Sequence, residues 1–177
     1  MTIQVNDHIH LTFIKETDKQ NLVKYINNKT VANNTLTIPH PYSEADADFF
    51  FNLIKEKKEE IGKESNWAIR NESGEFIGSI GLSRKSFDSN PHRDQFGYWL
   101  AEPYWGKGIM TEVVKTFTDY CFENENLHRL EATVFHHNPS SMRVLEKAGF
   151  EREGCLKKAY IKNGEFMDGI LYAKVKD

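Results

Sequence analysis

The sequence predicts an α+β fold: a central, twisted, mixed and mostly antiparallel sheet of about seven strands flanked by about four helices, in one domain over residues 1–177. Three observations lead there. Strand-like and helix-like apolar patterns follow one another in the order β α α β β β α β α β β. Two short polar turns, "NESG" at 71–74 and Asn163-Gly164, each join two strand-like runs. No repeat, low-complexity tract or linker divides the chain, and 177 residues are enough for one substantial core.

The elements follow in order. "HLTFIKET" begins as a strand, with Leu11 and Phe13 alternating with polar neighbours. Asp18 is placed to cap the next helix, where Leu22, Val23 and Ile26 share a face. "NNTLTIPHPY" reads as a loop because its prolines break regular structure. Ser43 and Asp46 make an S-x-x-D start for a helix running to about Ile61. Phe50, Phe51 and Ile54 form its buried side, and "KEKKEE" is a solvated face. "NWAIR" and "EFIGSIGLSRK" are strands, and "DQFGYWLA" is another, with Gly97 marking a bend or a close approach. From Lys107 to about Phe122 the spacing of Ile109, Val113, Phe117 and Cys121 predicts a helix. "HRLEATVF" is a strand with Leu130, Ala132 and Val134 on one face. "NPSSMRVLEKAGF" is a helix marked at both ends: Asn138 at N-cap, Pro139 at N1, Gly149 after its end.

Composition narrows the function. Apolar residues make up 39% and charged residues 28%, which fits a globular chain. A net charge of −3 argues against a nucleic-acid partner. No apolar run approaches the roughly 20 residues that span a bilayer, and "MTIQVNDHIH" has no secretory pattern, so the expectation is a cytoplasmic protein without a membrane partner. Cys121 and Cys155 read as isolated reduced thiols. No His/Cys/Asp/Glu spacing matches a common metal-ligand set, so no metal is expected.

The chemistry concentrates in "LAEPYWGKGIMTEVV" (100–114). A strand ends near Ala101, a glycine loop follows, and a helix begins. The first N–H groups of a helix lack intrahelical partners and its dipole adds positive potential. Gly106 and Gly108 have no Cβ, so an anion such as pyrophosphate can approach the backbone, with Lys107 adding a charge. A lone G-x-G is equally a tight turn. The stretch has neither P-loop spacing nor the third glycine of a dinucleotide fingerprint, where Thr111 stands.

About 30 residues later comes "HHNPSSMRVLEKAGFEREG". The glycine loop and this N-x-x-S-x-x-x-L-E-K-x-G-F helix together resemble the GNAT N-acetyltransferase superfamily, strongest from about Phe96 to Gly154. "GYWLAEPYWGKGIMTEVV" and "RLEATVFHHNPSSMRVLEKAGF" resemble in particular the branch that acetylates ribosomal-protein N-termini (RimJ/RimL type), as do "IPHPYSEADADFF" and "NGEFMDGILYA". The resemblance implies acetyl-CoA as cosubstrate. It implies that the strand holding Trp99, Leu100 and Ala101 splays from its neighbour and pairs with the pantetheine arm. The amides of Gly106, Lys107, Gly108, Ile109, Met110 and Thr111 would hold the pyrophosphate. Asn138, an N-cap by position, would also contact CoA, and Ser141 would sit near the thioester sulfur as the catalytic hydroxyl. Lys147 is either merely exposed or near the adenosine phosphates. Trp105 and Met110 depart from the superfamily's polar and small residues at those places.

The implied reaction is direct attack of an amine on the thioester carbonyl. The sequence identifies no general base. Gln95 stands where many members of the branch carry glutamate, Asp94 points to the opposite face, and Glu131, His92, His136 and His137 remain candidates. An α-amine has pKa about 7.7–8.0 and a lysine side chain about 10.4, a difference of about 3.4 kcal/mol in reaching the free base. The expected acceptor is therefore a protein or peptide N-terminal α-amine, in a monomer or homodimer. Small-molecule amines (polyamines, amino-bearing antibiotics) and a non-catalytic acyl-CoA-binding module are the alternatives.

Overall fold

A computed structural model describes residues 1–84 and 90–176. The strands are β1 (Thr2–Gln4), β2 (His10–Phe13), β3 (Asn66–Arg70), β4 (Phe76–Leu82), β5 (Arg93–Leu100), β6 (Arg129–Phe135), β7 (Glu151–Lys162) and β8 (Glu165–Val175). The helices are α1 (Lys19–Ile26), α2 (Lys29–Asn33), α3 (Glu44–Ile61), α4 (Ile109–Asn124) and α5 (Pro139–Lys147). The strands form one sheet in the order β1-β2-β3-β4-β5-β6-β8-β7. Every neighbouring pair is antiparallel except β5 with β6.

The predicted fold class stands, with local corrections. Three-residue β1 is too short to show a period. Helix α2 exists because Asn28 Oδ1 accepts from the N–H groups of Thr30 and Val31. The strand expected to reach Lys85 ends at Leu82, and Lys85 lies outside the described residues. The helix expected from Lys107 begins at Ile109, with Gly108 as its N-cap.

Two cores cover the two faces of the sheet. On one face Trp67, Ile69, Ile80, Phe96 and Leu130 pack beneath α4 and α5. Trp67 meets Phe117 edge-on, with ring centroids 5.1 Å apart. On the other, Ala68, Phe76 and Trp99 meet Leu22, Ile26 and Ala47 of α1 and α3. Strands β3 and β4 are buried on both faces, which is why they read as near-continuous apolar runs.

Asp18 is the clearest departure from expectation. It makes no cap bond to α1. Instead its two carboxylate oxygens accept from both terminal nitrogens of Arg70, at 2.9 and 2.7 Å. Lys15 N–H also donates to it, at 2.8 Å. Both side chains are buried, so this bidentate pair ties β3 to the start of α1. Ser43 and Asp46 do form the expected capping box on α3. The β7–β8 turn sits on Asn163 and Gly164 at φ 50° and 82°, the signs a type I′ hairpin needs.

Candidate active site

The site begins where the sheet opens. Strand β5 pairs with β6 only over Arg93–Gln95 and Arg129–Glu131. Beyond that point β5 stays with β4 as far as Leu100, and β6 stays with β8 as far as Phe135. The closed end is fastened by Glu131, which accepts from Arg129 Nε at 2.6 Å, Gln95 Nε2 at 3.4 Å and Arg93 Nη1 at 3.5 Å.

Hydrogen-bond parity identifies which backbone groups face the opening. Ser83 N–H donates to Gln95 O and Ala101 N–H to Ile77 O, so odd-numbered residues of β5 bond toward β4. The N–H and C=O groups of Phe96, Tyr98 and Leu100 therefore turn toward the parted strand. The Leu100 carbonyl is already used, accepting from the Trp105 indole N–H at 2.7 Å. The splay that the resemblance implied is present. Of the expected trio, only Leu100 directs its backbone into the gap. Trp99 is in the cleft wall but bonds toward β4, its ring packing against Phe76, and Ala101 is buried, outside the cleft.

The glycine loop lies at the far end. Gly106 and Gly108 have φ of 72° and 78°, a left-handed conformation that side chains strain to adopt. A Cβ built on either meets nothing within 4 Å, so the turn requires glycine and its outer side is open. Thr111 N–H turns back to Gly108 O at 3.0 Å, while the amides before it sit at the start of the helix, where a dipole favours an anion. Met110 is buried in the core, so its bulk does not fill the loop. Trp105, at the place of the usual polar residue, fixes the loop to the end of β5 through that indole bond.

Helix α5 supplies the third wall. Asn138 caps it, its Oδ1 accepting from Ser141 N–H at 3.2 Å, which leaves both amide hydrogens for other partners. Ser141 Oγ lies 2.7 Å from the Tyr98 hydroxyl, which also reaches the Ser141 carbonyl at 3.3 Å. Burial pushes the Tyr98 phenol far above its ordinary value, so it keeps its proton.

These parts line one cavity of about 480 Å³: Tyr98, Trp99, Leu100, Gly106, Gly108, Ile109, Met110, Thr111, Asn138 and Ser141 are all in its wall. Lys107 is not, and its Nζ sits 5.5 Å from the Tyr104 ring centroid. Arg143 and Lys147, one turn apart on α5, bring the positive charge instead. Sequence reasoning missed Tyr98 and Arg143. Tyr98 reads as an ordinary strand aromatic until its register is known, and Arg143 carries no motif.

A second cavity of about 720 Å³ opens on the other face, bounded by the 34–39 loop, α3 and the parted strands. Asn34, Thr35, Tyr98 and Trp99 belong to both walls, so the cavities meet at the splay. The loop is held from the opposite half of the sheet. Lys162 Nζ donates to the carbonyls of Leu36 and Ile38 at 3.3 and 3.2 Å, and His137 Nε2 lies 3.2 Å from Asn33 O.

None of the candidate bases stands ready. Glu131 is held by two arginines. Asp94 is buried and accepts from Arg84 N–H at 3.1 Å; burial raises its pKa, but it lines neither cavity. His92 and His136 are exposed and also line neither.

Fold and cleft together have the form of a GNAT acetyltransferase domain, and the comparisons agree. The acetyltransferase (GNAT) domain family model matches residues 8–151, and the chain belongs to that family. The probable N-acetyltransferase YjcK of Bacillus subtilis (strain 168) is 51% identical over 77 residues, 44% of this chain and 42% of that protein. The ribosomal-protein-serine acetyltransferase of Escherichia coli (strain K12) is 32% identical over 103 residues, 58% of this chain and 56% of its own. The chain thus spans about half the length of these curated relatives. Among solved structures, the ribosomal-protein-S5-alanine acetyltransferase from Vibrio fischeri superposes with a TM-score of 0.82 at 27% identity, covering 100% of this chain and 97% of that one.

Proposed function

We propose that this protein is an acetyl-CoA-dependent N-acetyltransferase that moves the acetyl group directly to a primary amine, the N-terminal α-amine of a protein or peptide. The observation that carries it is the junction of two cavities at the splayed strand: one ends at the glycine loop and the start of α4, and the other opens beside α3. The names of the Escherichia coli and Vibrio fischeri relatives, both acetyltransferases of ribosomal proteins, support the choice of acceptor.

In this reading acetyl-CoA supplies the acetyl group and a thiolate leaving group. The loop amides of Gly106 to Met110, with Arg143 and Lys147, hold its pyrophosphate end. The N–H groups of Tyr98 and Leu100 pair with the extended arm and polarise the carbonyl as charge develops on oxygen. Asn138 donates its amide hydrogens to the same arm. Tyr98 fixes the Ser141 hydroxyl, and with Tyr98 as donor the Ser141 hydrogen is free for the departing sulfur. The amine nitrogen forms the new C–N bond as the C–S bond breaks. Catalysis comes chiefly from positioning the two substrates.

The test is a calorimetric titration with acetyl-CoA, paired with thiol release on N-terminal peptides. Binding with acceptor-dependent thiol release is expected. Binding without release on any amine would leave an acyl-CoA-binding module.

Ser141→Ala is expected to lower kcat by about one to two orders of magnitude, the low end of acid–base assistance. Acetyl-CoA affinity should barely move, since the interaction grows mainly in the transition state. Stability should hold within about 1 kcal/mol, because the Tyr98 hydroxyl keeps the residue-141 carbonyl as a partner. Steady-state kinetics decide: full activity would return Ser141 to a helix-start residue.

A further inference from the structure

The second cavity is asymmetric in its chemistry. Its outer part is apolar and open to solvent: Leu36, Phe49 and Leu53 are 45%, 70% and 48% exposed, and Ile38, Pro39 and Phe50 continue the same wall. Large apolar side chains left open around a concave surface mark a binding site. Its inner part, at the parted strands, carries no charged side chain: Ser79, Gln95 and Thr133 line it beside Phe96, Trp99, Val134 and Phe135.

Charge is already committed. Among the described residues, Asp46 is the one carboxylate in the wall, and it is engaged by the Ser43 N–H at 2.7 Å and the Ser43 hydroxyl. That capping box holds the Asp46 carboxyl below its usual range. A cation, Lys162, stands behind Leu36 and Ile38. A polyamine needs several free carboxylates, and here it would meet one, already hydrogen-bonded to Ser43, and face a fixed positive charge.

We infer that the acceptor is an α-amine carried by a first residue with an apolar side chain, of the leucine or phenylalanine kind. Its side chain lies against Phe49 and Leu53, and its amine points to the splay. This rests on the acetyltransferase reading above and narrows its substrate. It also bears on the absent base. An ammonium group brought into the inner part, away from Asp46, loses hydration, and desolvation favours its neutral, nucleophilic form. The proton leaves to solvent before the amine attacks the carbonyl.

The experiment uses the whole chain, acetyl-CoA and short peptides identical except for a first residue of Leu, Phe, Ser or Asp, with spermidine alongside. Leu and Phe peptides should exceed the Ser peptide in kcat/KM by about 10-fold or more, the scale of filling an apolar pocket, and should exceed spermidine further. Phe49→Ala removes an exposed side chain and should leave the fold intact. It should cut kcat/KM for the Phe peptide about 5- to 10-fold, clearly more than for the Ser peptide, and leave acetyl-CoA affinity as it is. Fastest turnover on the Ser or Asp peptide or spermidine, or an indifferent Phe49→Ala, would overturn this inference and leave the acetyltransferase reading standing. No turnover on any amine by a chain that binds acetyl-CoA would overturn that reading and this inference with it.

Discussion

Gly108→Glu is expected to leave a folded protein with no measurable acetyl-CoA affinity. Gly108 occupies φ 78° at the N-cap of α4, with open space where a Cβ would be. Glutamate there accepts a left-handed backbone at a cost of about 1–2 kcal/mol, within the reserve of an ordinary domain. Its carboxylate projects from the loop proposed to hold pyrophosphate. Two like charges 4 Å apart in a partly solvated site repel by about 4 kcal/mol, nearly a thousandfold in affinity, and the added bulk excludes the phosphate from the amides. Gly108→Ala isolates the backbone strain and should reduce affinity far less. Calorimetry with acetyl-CoA, beside circular dichroism for the fold, decides it. Unchanged affinity in folded Gly108→Glu would move the pyrophosphate off this loop.

The second large effect is on stability. Asp18→Ala is expected to cost about 3–5 kcal/mol, the range for removing one partner of a buried ion pair. Arg70 would keep Thr12 Oγ1 at 2.7 Å and Gly74 O at 3.2 Å, but its charge would stay buried without a counter-charge. The loss should exceed that of any exposed pair here, such as Lys24 with Glu75. Replacing both partners, Asp18→Leu with Arg70→Met, should recover much of it, since packed apolar groups carry no desolvation penalty. Urea unfolding midpoints measure both variants. A loss under 1 kcal/mol for Asp18→Ala would mean that water reaches the guanidinium.

What the sequence reveals and what it conceals divide along a physical line. Local chemistry is legible. The Ser43–Asp46 box, the Asn138 cap with Pro139 behind it, the Asn163-Gly164 turn and the left-handed glycines of the loop each depend on residues within a few positions, and each is found in the structure. Long-range pairing is not. Asp18 looks like a cap because its partner is 52 residues away. Tyr98 looks like packing because its partner, Ser141, is 43 residues away on another element. Trp99 and Ala101 were expected to share the backbone task with Leu100, but a strand alternates its bonding edges, and only the register with β4 shows which residues face the gap. The short β1 and α2 escape because neither completes enough of a period to be read.

The parting of β5 from β6 also bears on self-association. Unpaired strand edges invite other chains to pair with them, and proteins guard their outer edges against it. Here an unpaired edge runs from Phe96 to Leu100 inside the sheet, where β6 and its neighbour β8 form the facing bank. A strand from another molecule would have to bring its own sheet with it, and the facing bank stands in the way. A single slender extended chain, free of neighbours, meets no such obstacle. The wedge shape therefore works as a sieve by thickness: it keeps an adhesive backbone permanently available while withholding it from other folded proteins.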